Sequence, residues 1–385
     1  SEIKLINTGT KKNNSYSLSY IRVLYAMWLV RTVLSYLLTY RKSLLIADQK
    51  EYIASITGLI LNVVSYLAII LLVTWEQNYL LALGIGTVTE VVLNIWISWY
   101  VEQKYPFLRQ RRKEKSTSSL TKRIVRDLKS LFISRISEKM LYCTDNLIIS
   151  GFIGVGTVGR YANYCMITQA ISNILTILAN TIQPTVGDYF TEKNRQRNYE
   201  ILRQLTFGFF CIASVVSVGL FSLITPFVRD IWLGPSYELG WGITVFCIVV
   251  LLVRIMGLPL SLVMGVTGLF EKEKNVGASS ALLNLIVSLA LVKPYGMAGV
   301  LLGTLLSYLL QILYRYIIYF RDFLEMPGEA LRYAQDIGEY LAVIAGEVLL
   351  MQKIVPLIYG AGGMLLFCVC FLLCIAIPLL LDLVI

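Results

Sequence analysis

The sequence contains no histidine, and only 15% of its 385 residues are charged. Without histidine there is no Ser-His-Asp or Cys-His pair for nucleophilic catalysis, so we expect the chain not to be an enzyme. Soluble domains carry about a quarter charged residues, and this chain lies well outside that class. Instead, 57% of the residues are hydrophobic and the mean hydropathy is +0.69. This composition is typical of a membrane protein.

Seven cysteines fall in or beside apolar runs, and three of them cluster near the C-terminus: Cys368, Cys370 and Cys374. An apolar surround without histidine favours helix packing over metal ligation, because buried cysteine behaves as a small hydrophobe. We therefore expect no metal and no cofactor.

Apolar runs of about 20 residues recur along the chain, and each is long enough to cross a hydrocarbon core. Backbone groups in lipid must be paired within their own segment, so these runs are predicted to be helices. The predicted fold class is all-α, a polytopic helical membrane protein with about eleven transmembrane helices. The predicted spans are 20–40, 53–74, 79–101, 131–154, 161–187, 204–228, 241–265, 276–292, 297–320, 337–359 and 364–385.

The long polar connection 102–130 carries ten lysines and arginines. Basic residues accumulate in cytoplasmic loops, so this connection and, by alternation, the C-terminus are predicted to be cytoplasmic. Topology thus explains the basic loop, and no nucleic-acid partner is expected. The same alternation places the N-terminus outside, which predicts that an odd number of earlier helices is missing.

Three consecutive spans match three later spans in order, six spans further along the chain. The corresponding positions are Arg31 with Arg254, Gln49-Lys50-Glu51 with Glu271-Lys272-Glu273, and Gly86-Thr87 with Gly303-Thr304. An even separation gives both copies the same orientation, which predicts a parallel repeat about an axis along the membrane normal. The predicted domains are a partial N-terminal lobe at 1–101, a basic inter-lobe loop at 102–130, a C-terminal lobe at 131–320 and two appended helices at 321–385.

Arg31 and Arg254 lie well inside apolar spans, where a charge costs several kcal/mol unless it faces a cavity or a partner. Guanidinium groups suit bidentate binding of phosphate oxygens, so the two arginines are candidates for a cationic substrate cavity. The alternative is that each pairs with a nearby carboxylate or carbonyl and only holds helices together. The sequence leaves both interpretations open.

A second polar set shares one predicted helical face in the span 131–154, which cannot face lipid. Its members are Arg135, Glu138, Lys139, Tyr142 and Asp145. We predict that this face lines a water-filled path, with a seal against the other lobe as the alternative.

Glu90 and Glu347 are single acids inside other spans. Each is a candidate for proton or cation coupling, and a hydrogen bond to a neighbouring helix is the competing interpretation.

Two sequence runs carry a resemblance to a known family. Residues 144–150 (Thr-Asp-Asn-Leu-Ile-Ile-Ser) and 158–164 (Val-Gly-Arg-Tyr-Ala-Asn-Tyr) resemble the seventh and eighth helices of bacterial polysaccharide transporters. These are the flippases for lipid-linked O-antigen and capsule repeat units, in the multidrug/oligosaccharidyl-lipid/polysaccharide (MOP) exporter superfamily. Residues 35–52 resemble the end of that family's fourth helix, and Ile231-Trp232-Leu233-Gly234 resembles its outside loop before helix ten.

The resemblance implies two six-helix lobes with two appended helices, and alternating access across a cationic cavity. The first three helices of the family are not visible in this chain. The implied substrate is an undecaprenyl-pyrophosphate-linked oligosaccharide, moved from the cytoplasmic to the outer leaflet of the bacterial inner membrane. Arg31, Arg254 and the face that begins at Arg135 sit at plausible places in that cavity. Implied partners are membrane lipids and a polysaccharide polymerase or chain-length machinery.

Four other functions stay open at this point. A flippase for the peptidoglycan lipid precursor shares the superfamily and the pyrophosphate, whereas a drug or cation antiporter of the MATE type would favour cavity acids over arginines. A membrane-embedded glycosyltransferase or polymerase would usually carry a sizeable outside loop. A truncated, non-transporting membrane scaffold is the last alternative.

Overall fold

The computed structural model describes residues 18–37, 39–48, 50–76, 79–106, 143–190, 194–267, 269–360 and 363–382. All regular structure in these ranges is helical, with no strand among them, so the all-α prediction is confirmed. The predicted site residues Arg135, Glu138, Lys139 and Tyr142 lie outside the described residues.

The chain divides into two compact units, Ser1–Thr117 and Ser118–Ile385. The helices of the first unit are α1 (Leu18–Leu37), α2 (Thr39–Ala47), α3 (Glu51–Glu76) and α4 (Tyr79–Lys104). The helices of the second unit are α5 (143–152), α6 (Val155–Tyr189), α7 (Arg195–Pro226), α8 (Trp241–Met256), α9 (Leu258–Val266), α10 (Phe270–Tyr295), α11 (Met297–Ile317), α12 (Pro327–Tyr359) and α13 (Met364–Asp382). Two π-helical turns, Phe227–Trp232 and Ile318–Leu324, continue α7 and α11.

Nine helical segments of the described chain are long and apolar enough to cross a membrane. They are Tyr52–Trp75, Leu80–Lys104, Val155–Tyr189, Arg195–Trp232, Trp241–Val266, Val276–Tyr295, Met297–Leu324, Pro327–Tyr359 and Met364–Asp382. Each coincides with one of the eleven predicted spans. Of the other two, 20–40 overlaps the helix α1, which carries two arginines, and 131–154 lies mostly outside the described residues. The chain is a multi-pass membrane protein.

Helix α3 shows how these spans meet their surroundings. Large apolar side chains are exposed along its length, among them Leu59, Val63, Tyr66 and Ile70. In water such a surface would be unfavourable, whereas in a bilayer it faces lipid tails and only the backbone has to be paired internally.

The order of helix lengths in the first unit recurs in the second. In the first unit, α1 is followed by the nine-residue α2 and then by the 26-residue α3. In the second unit, α8 is followed by the nine-residue α9 and then by the 26-residue α10. The break between α8 and α9 falls at Gly257, and Pro259 follows in the first turn of α9, where its missing N–H costs no helical hydrogen bond. A parallel repeat predicts this order; the repeat and the domain limits stay predictions.

Helix α7 is the centre of the largest apolar core in the second unit, where it packs against α8, α12 and α13. Phe210 of α7 stacks on Tyr340 of α12 with ring centroids 4.3 Å apart. Arg203 precedes Phe210 by about two turns of α7, and Asp336 precedes Tyr340 by about one turn of α12. The Arg203 guanidinium donates to both carboxylate oxygens of Asp336, at 2.7 and 3.1 Å. Because residue numbers rise together along these contacts, α7 and α12 run parallel.

Two glycines on one face of α11 allow it to pack closely against α10. A Cβ atom on Gly299 would collide with the Leu291 carbonyl, and one on Gly303 would collide with the Ser288 hydroxyl and lie 3.1 Å from the Asn284 carbonyl oxygen. The small-xxx-small pattern from Gly299 to Gly303 therefore brings these helices into contact, as such patterns do in membrane proteins.

Candidate functional site

Close packing of α10 on α11 creates a buried polar cluster with α5. Asp145, Asn284 and Thr304 form this cluster, and each is less than 8% exposed. The Thr304 hydroxyl donates to Asp145 Oδ2 at 2.7 Å, and the Asn284 amide donates to Asp145 Oδ1 at 3.4 Å and to Thr304 Oγ1 at 2.9 Å. Hydrogen-bonded polar side chains thus tie three membrane helices together.

The charge of Asp145 has no basic counterpart in this cluster. Both of its hydrogen bonds come from neutral donors, and no ion pair with Asp145 occurs among the described residues. The buried Asn284 Oδ1 also accepts no hydrogen bond in the described part of the chain. A carboxylate, an amide oxygen and a hydroxyl are oxygen ligands of the kind that hard cations prefer. Chemically, the cluster is suited to hold one proton or one small cation.

In the first unit, Arg31 of α1 lies against α4. A Cβ atom on Gly86 would be 2.8 Å from Arg31 Nη1 and 3.1 Å from Cζ, so glycine is what allows the guanidinium to lie there. Arg31 is partly buried and has no hydrogen bond or ion pair among the described residues. Glu90 lies one helical turn beyond Gly86 and is also partly buried, but no ion pair joins it to Arg31.

Arg41 shows what a structural arginine looks like in the same unit. It forms an ion pair with Glu102 and a hydrogen bond with the Ser98 hydroxyl, and these contacts join α2 to α4. Arg31 differs from Arg41 in this respect. If Arg31 only linked helices, it would need a hydrogen-bond or ion-pair partner, and the described residues provide none.

The corner between α2 and α3 is fixed to the end of α4 by a charged group outside the spans. The Lys50 ammonium beside Asp48 lowers the pKa of that carboxyl, and the Tyr105 hydroxyl, which donates to it at 2.6 Å, lowers it further. The same hydrogen bonds raise the pKa of Lys50 and of Tyr105. The hydrogen bond from Tyr105 to Asp48 joins positions 57 residues apart, so we assign the group a structural role.

The structure places two of the sequence-predicted residues, Asp145 and Glu347, in buried polar sites. Asp145 lies in the cluster described above, and Glu347 of α12 lies in the core around α7 with the Ser214 hydroxyl donating to it. Arg254 is partly buried in the last turn of α8. Substrate-binding roles for Arg31, Arg254 and Asp145, and ion-coupling roles for Glu90 and Glu347, stay predictions.

Sequence reasoning missed Asn284, Thr304, Ser214 and Asp382 as members of buried polar sites. Thr304 stands out in the sequence only as a repeat position, and neutral side chains in apolar runs give no charge signal. Asp382 is an acid at the end of the most apolar helix. The sequence therefore contains a signal for Asp382, because an acid next to a wholly apolar run is costly unless it finds a partner.

Comparison with known proteins gives a family match, a structural match and one negative result. Residues 5–190 match the family model described as polysaccharide biosynthesis protein. A search of curated proteins found no match.

The second match is to a solved structure of the lipid II flippase MurJ in an inward closed conformation. The sequences are 16% identical, the TM-score is 0.62, and the match covers 94% of this chain and 73% of that one. At this identity the likeness shows a common fold. Together, the family model over residues 5–190 and this fold confirm the predicted resemblance to polysaccharide transporters of the MOP superfamily.

Proposed function

We propose that the protein moves an undecaprenyl-pyrophosphate-linked oligosaccharide from the cytoplasmic to the outer leaflet of the bacterial inner membrane, as a step in the export of cell-surface polysaccharide. The observation that carries this proposal is the Arg31 guanidinium, which lies in an apolar helix within the family-matched segment and has no partner among the described residues. A charge in such a place is costly unless a ligand or a cavity compensates it.

The chemistry of the substrate fits such an arginine. A pyrophosphate offers several anionic oxygens, and a guanidinium binds phosphate oxygens through two parallel hydrogen bonds. In this mechanism Arg31, with Arg254 at the corresponding repeat position, neutralises the pyrophosphate while the hydrated sugar crosses through a polar cavity. The lipid tail stays in the bilayer throughout. The C-terminus is cytoplasmic in this account, and a polymerase or chain-length protein receives the exported unit.

A flippase for the peptidoglycan lipid precursor is the second candidate. The fold shared with a lipid II flippase favours it, and its substrate carries the same pyrophosphate. The two candidates differ in the sugar and not in the anion, so the arginine argument applies to both.

Complementation in two bacterial strains distinguishes these candidates. One strain lacks its repeat-unit flippase and is supplied with the cognate glycan pathway, and the other is depleted of its peptidoglycan-precursor flippase. We expect the full-length protein to restore surface polysaccharide in the first strain and not to restore growth in the second. Growth rescue of the second strain alone would establish the second candidate. Rescue of neither strain by protein that is inserted in the membrane would contradict both.

A further inference from the structure

Three polar side chains meet inside the apolar core around α7. Ser214 of α7 is 0% exposed, Glu347 of α12 is 3% exposed and Asp382 of α13 is 1% exposed. Ala213, next to Ser214, and Met351, one turn after Glu347, are buried apolar residues of this core. The proposed function uses neither Ser214 nor Asp382.

The hydrogen bonds in this group leave most carboxylate oxygens without a donor. The Ser214 hydroxyl donates to Glu347 Oε2, and the Asp382 side chain lies beside both residues. Glu347 Oε1 and both oxygens of Asp382 accept no hydrogen bond from any described residue. A hydroxyl has one proton, so Ser214 cannot satisfy these oxygens.

The charges around the pair do not compensate it either. The described part of the chain contains no ion pair with Glu347 or Asp382, and the other titratable group that faces them is the Cys211 thiol of α7. Two ionised carboxylates cannot share one buried site without a counter-charge, because desolvation and mutual repulsion both oppose it. A positive charge therefore has to reside between them.

The pair lies well along α7 and α12 from the Arg203–Asp336 ion pair. Ser214 follows Arg203 by 11 residues on α7, and Glu347 follows Asp336 by 11 residues on α12. At 1.5 Å per residue this is about 16 Å along each helix. Helix α13 runs antiparallel to α7 and brings Asp382 to the same level, because Cys374 contacts Ser222 while Asp382 contacts Ser214.

A cavity of about 610 Å³ lies at the C-terminal ends of α7 and α12. Asp230 and Trp241 line it, and so do Ser222 and Gln352. Ser222 is about two helical turns from Ser214, and its buried hydroxyl has no hydrogen-bond partner in the described chain. Ser222 and Gln352 are the polar residues of this cavity that are nearest in sequence to Ser214 and Glu347.

We propose that Ser214, Glu347 and Asp382 form a proton-binding site, with at least one proton held between the two carboxyl groups. Two neighbouring buried carboxyl groups share a proton in other carboxylate pairs, because both cannot be ionised together. The site lies within the second unit, and it goes beyond the proposed function without depending on which lipid is carried.

Infrared spectroscopy of the purified full-length protein at pH 7 tests this proposal. We expect a band of protonated carboxyl groups that shifts in D₂O and is lost in the Glu347→Gln, Asp382→Asn double variant. The matched control is Glu339→Gln, which removes an exposed acid from the same helix α12 and should leave the band unchanged. Asp145→Asn is a second control, because it removes the other buried acid and should also leave the band of the pair in place.

Unfolding in detergent gives an independent readout. If the folded pair holds one proton that the unfolded carboxylates release, the unfolding equilibrium constant rises about tenfold per pH unit above about pH 5 for as long as the pair keeps its proton. Stability therefore falls as the pH rises through this window. The double variant should lack this slope, and Glu339→Gln should keep it. If the double variant does not fold, Glu347→Gln replaces it, since its amide can donate to Asp382.

Two results would overturn the proposal. A carboxyl band of unchanged intensity in the folded double variant, or in Glu347→Gln where the double variant does not fold, would place the proton elsewhere. Absence of the band in the unmodified protein, together with stabilisation by sodium chloride but not by choline chloride, would show that a metal cation and not a proton occupies the pair.

Discussion

Replacing Arg31 with alanine is expected to slow flipping of a pyrophosphate-linked oligosaccharide about 10- to 100-fold in reconstituted vesicles. A hydrogen bond to a charged group is worth about 1.5–3 kcal/mol, and each 1.4 kcal/mol corresponds to a factor of ten. Arg31 has no partner among the described residues, so its removal breaks no ion pair within them. The loss should therefore appear in transport and not in the amount of folded protein.

Three variants make this prediction specific. Arg22→Ala removes an exposed arginine from the same helix α1 and should leave the rate unchanged. Arg31→Lys keeps the charge without the planar guanidinium, so an intermediate rate is expected. Gly86→Ala keeps Arg31 but displaces its guanidinium, because the new Cβ would be 2.8 Å from Nη1, and should also slow transport. Equal rates for Arg31→Ala and Arg22→Ala would exclude Arg31 from the substrate site.

Gly299→Ala is expected to destabilise the folded protein by about 3 kcal/mol, the upper range for overpacking. The added Cβ would meet the carbonyl oxygen and carbon of Leu291, which are backbone atoms of α10 and cannot rotate away. The helices would have to separate, and Asn284 would then move away from Asp145 and Thr304. Thermal unfolding in detergent, followed by circular dichroism, measures the change.

Gly338→Ala is the matched control for this substitution. Gly338 lies inside helix α12, and no atom lies within 4 Å of a Cβ built there. Alanine is favoured over glycine inside a helix by about 0.5–1 kcal/mol, so this variant should be as stable as the unmodified protein or more stable. If Gly299→Ala behaves like Gly338→Ala, the close packing of α10 on α11 is wrong.

The transmembrane helices could be predicted from the sequence because their signal is local. A run of about 20 apolar residues requires a helix whatever its neighbours are, and each of the nine membrane-length segments coincides with a predicted span. The packing of α11 on α10 had a local signal too, since Gly299 and Gly303 fall on one helical face.

The buried polar sites depend on contacts between distant parts of the chain, and the sequence could not predict them. Asp145 and Thr304 are 159 residues apart, and Ser214 and Glu347 are 133 residues apart. Helical spacing shows which face of its own helix a polar residue occupies, but not which helix packs against that face. For this reason Glu347 was predicted as a single acid, whereas the structure places a second acid, Asp382, beside it.

The central claim is that this protein moves a pyrophosphate-linked oligosaccharide across a bilayer. Purified full-length protein in vesicles that contain a fluorescent undecaprenyl-pyrophosphate-linked oligosaccharide tests it most directly, with an added reagent that quenches only the outer leaflet. The account predicts that the protein exposes the lipid of the inner leaflet to quenching, and that a neutral glycolipid with the same sugar stays protected. If neither lipid moves, or if both move equally, the proposed pyrophosphate-dependent transport is contradicted.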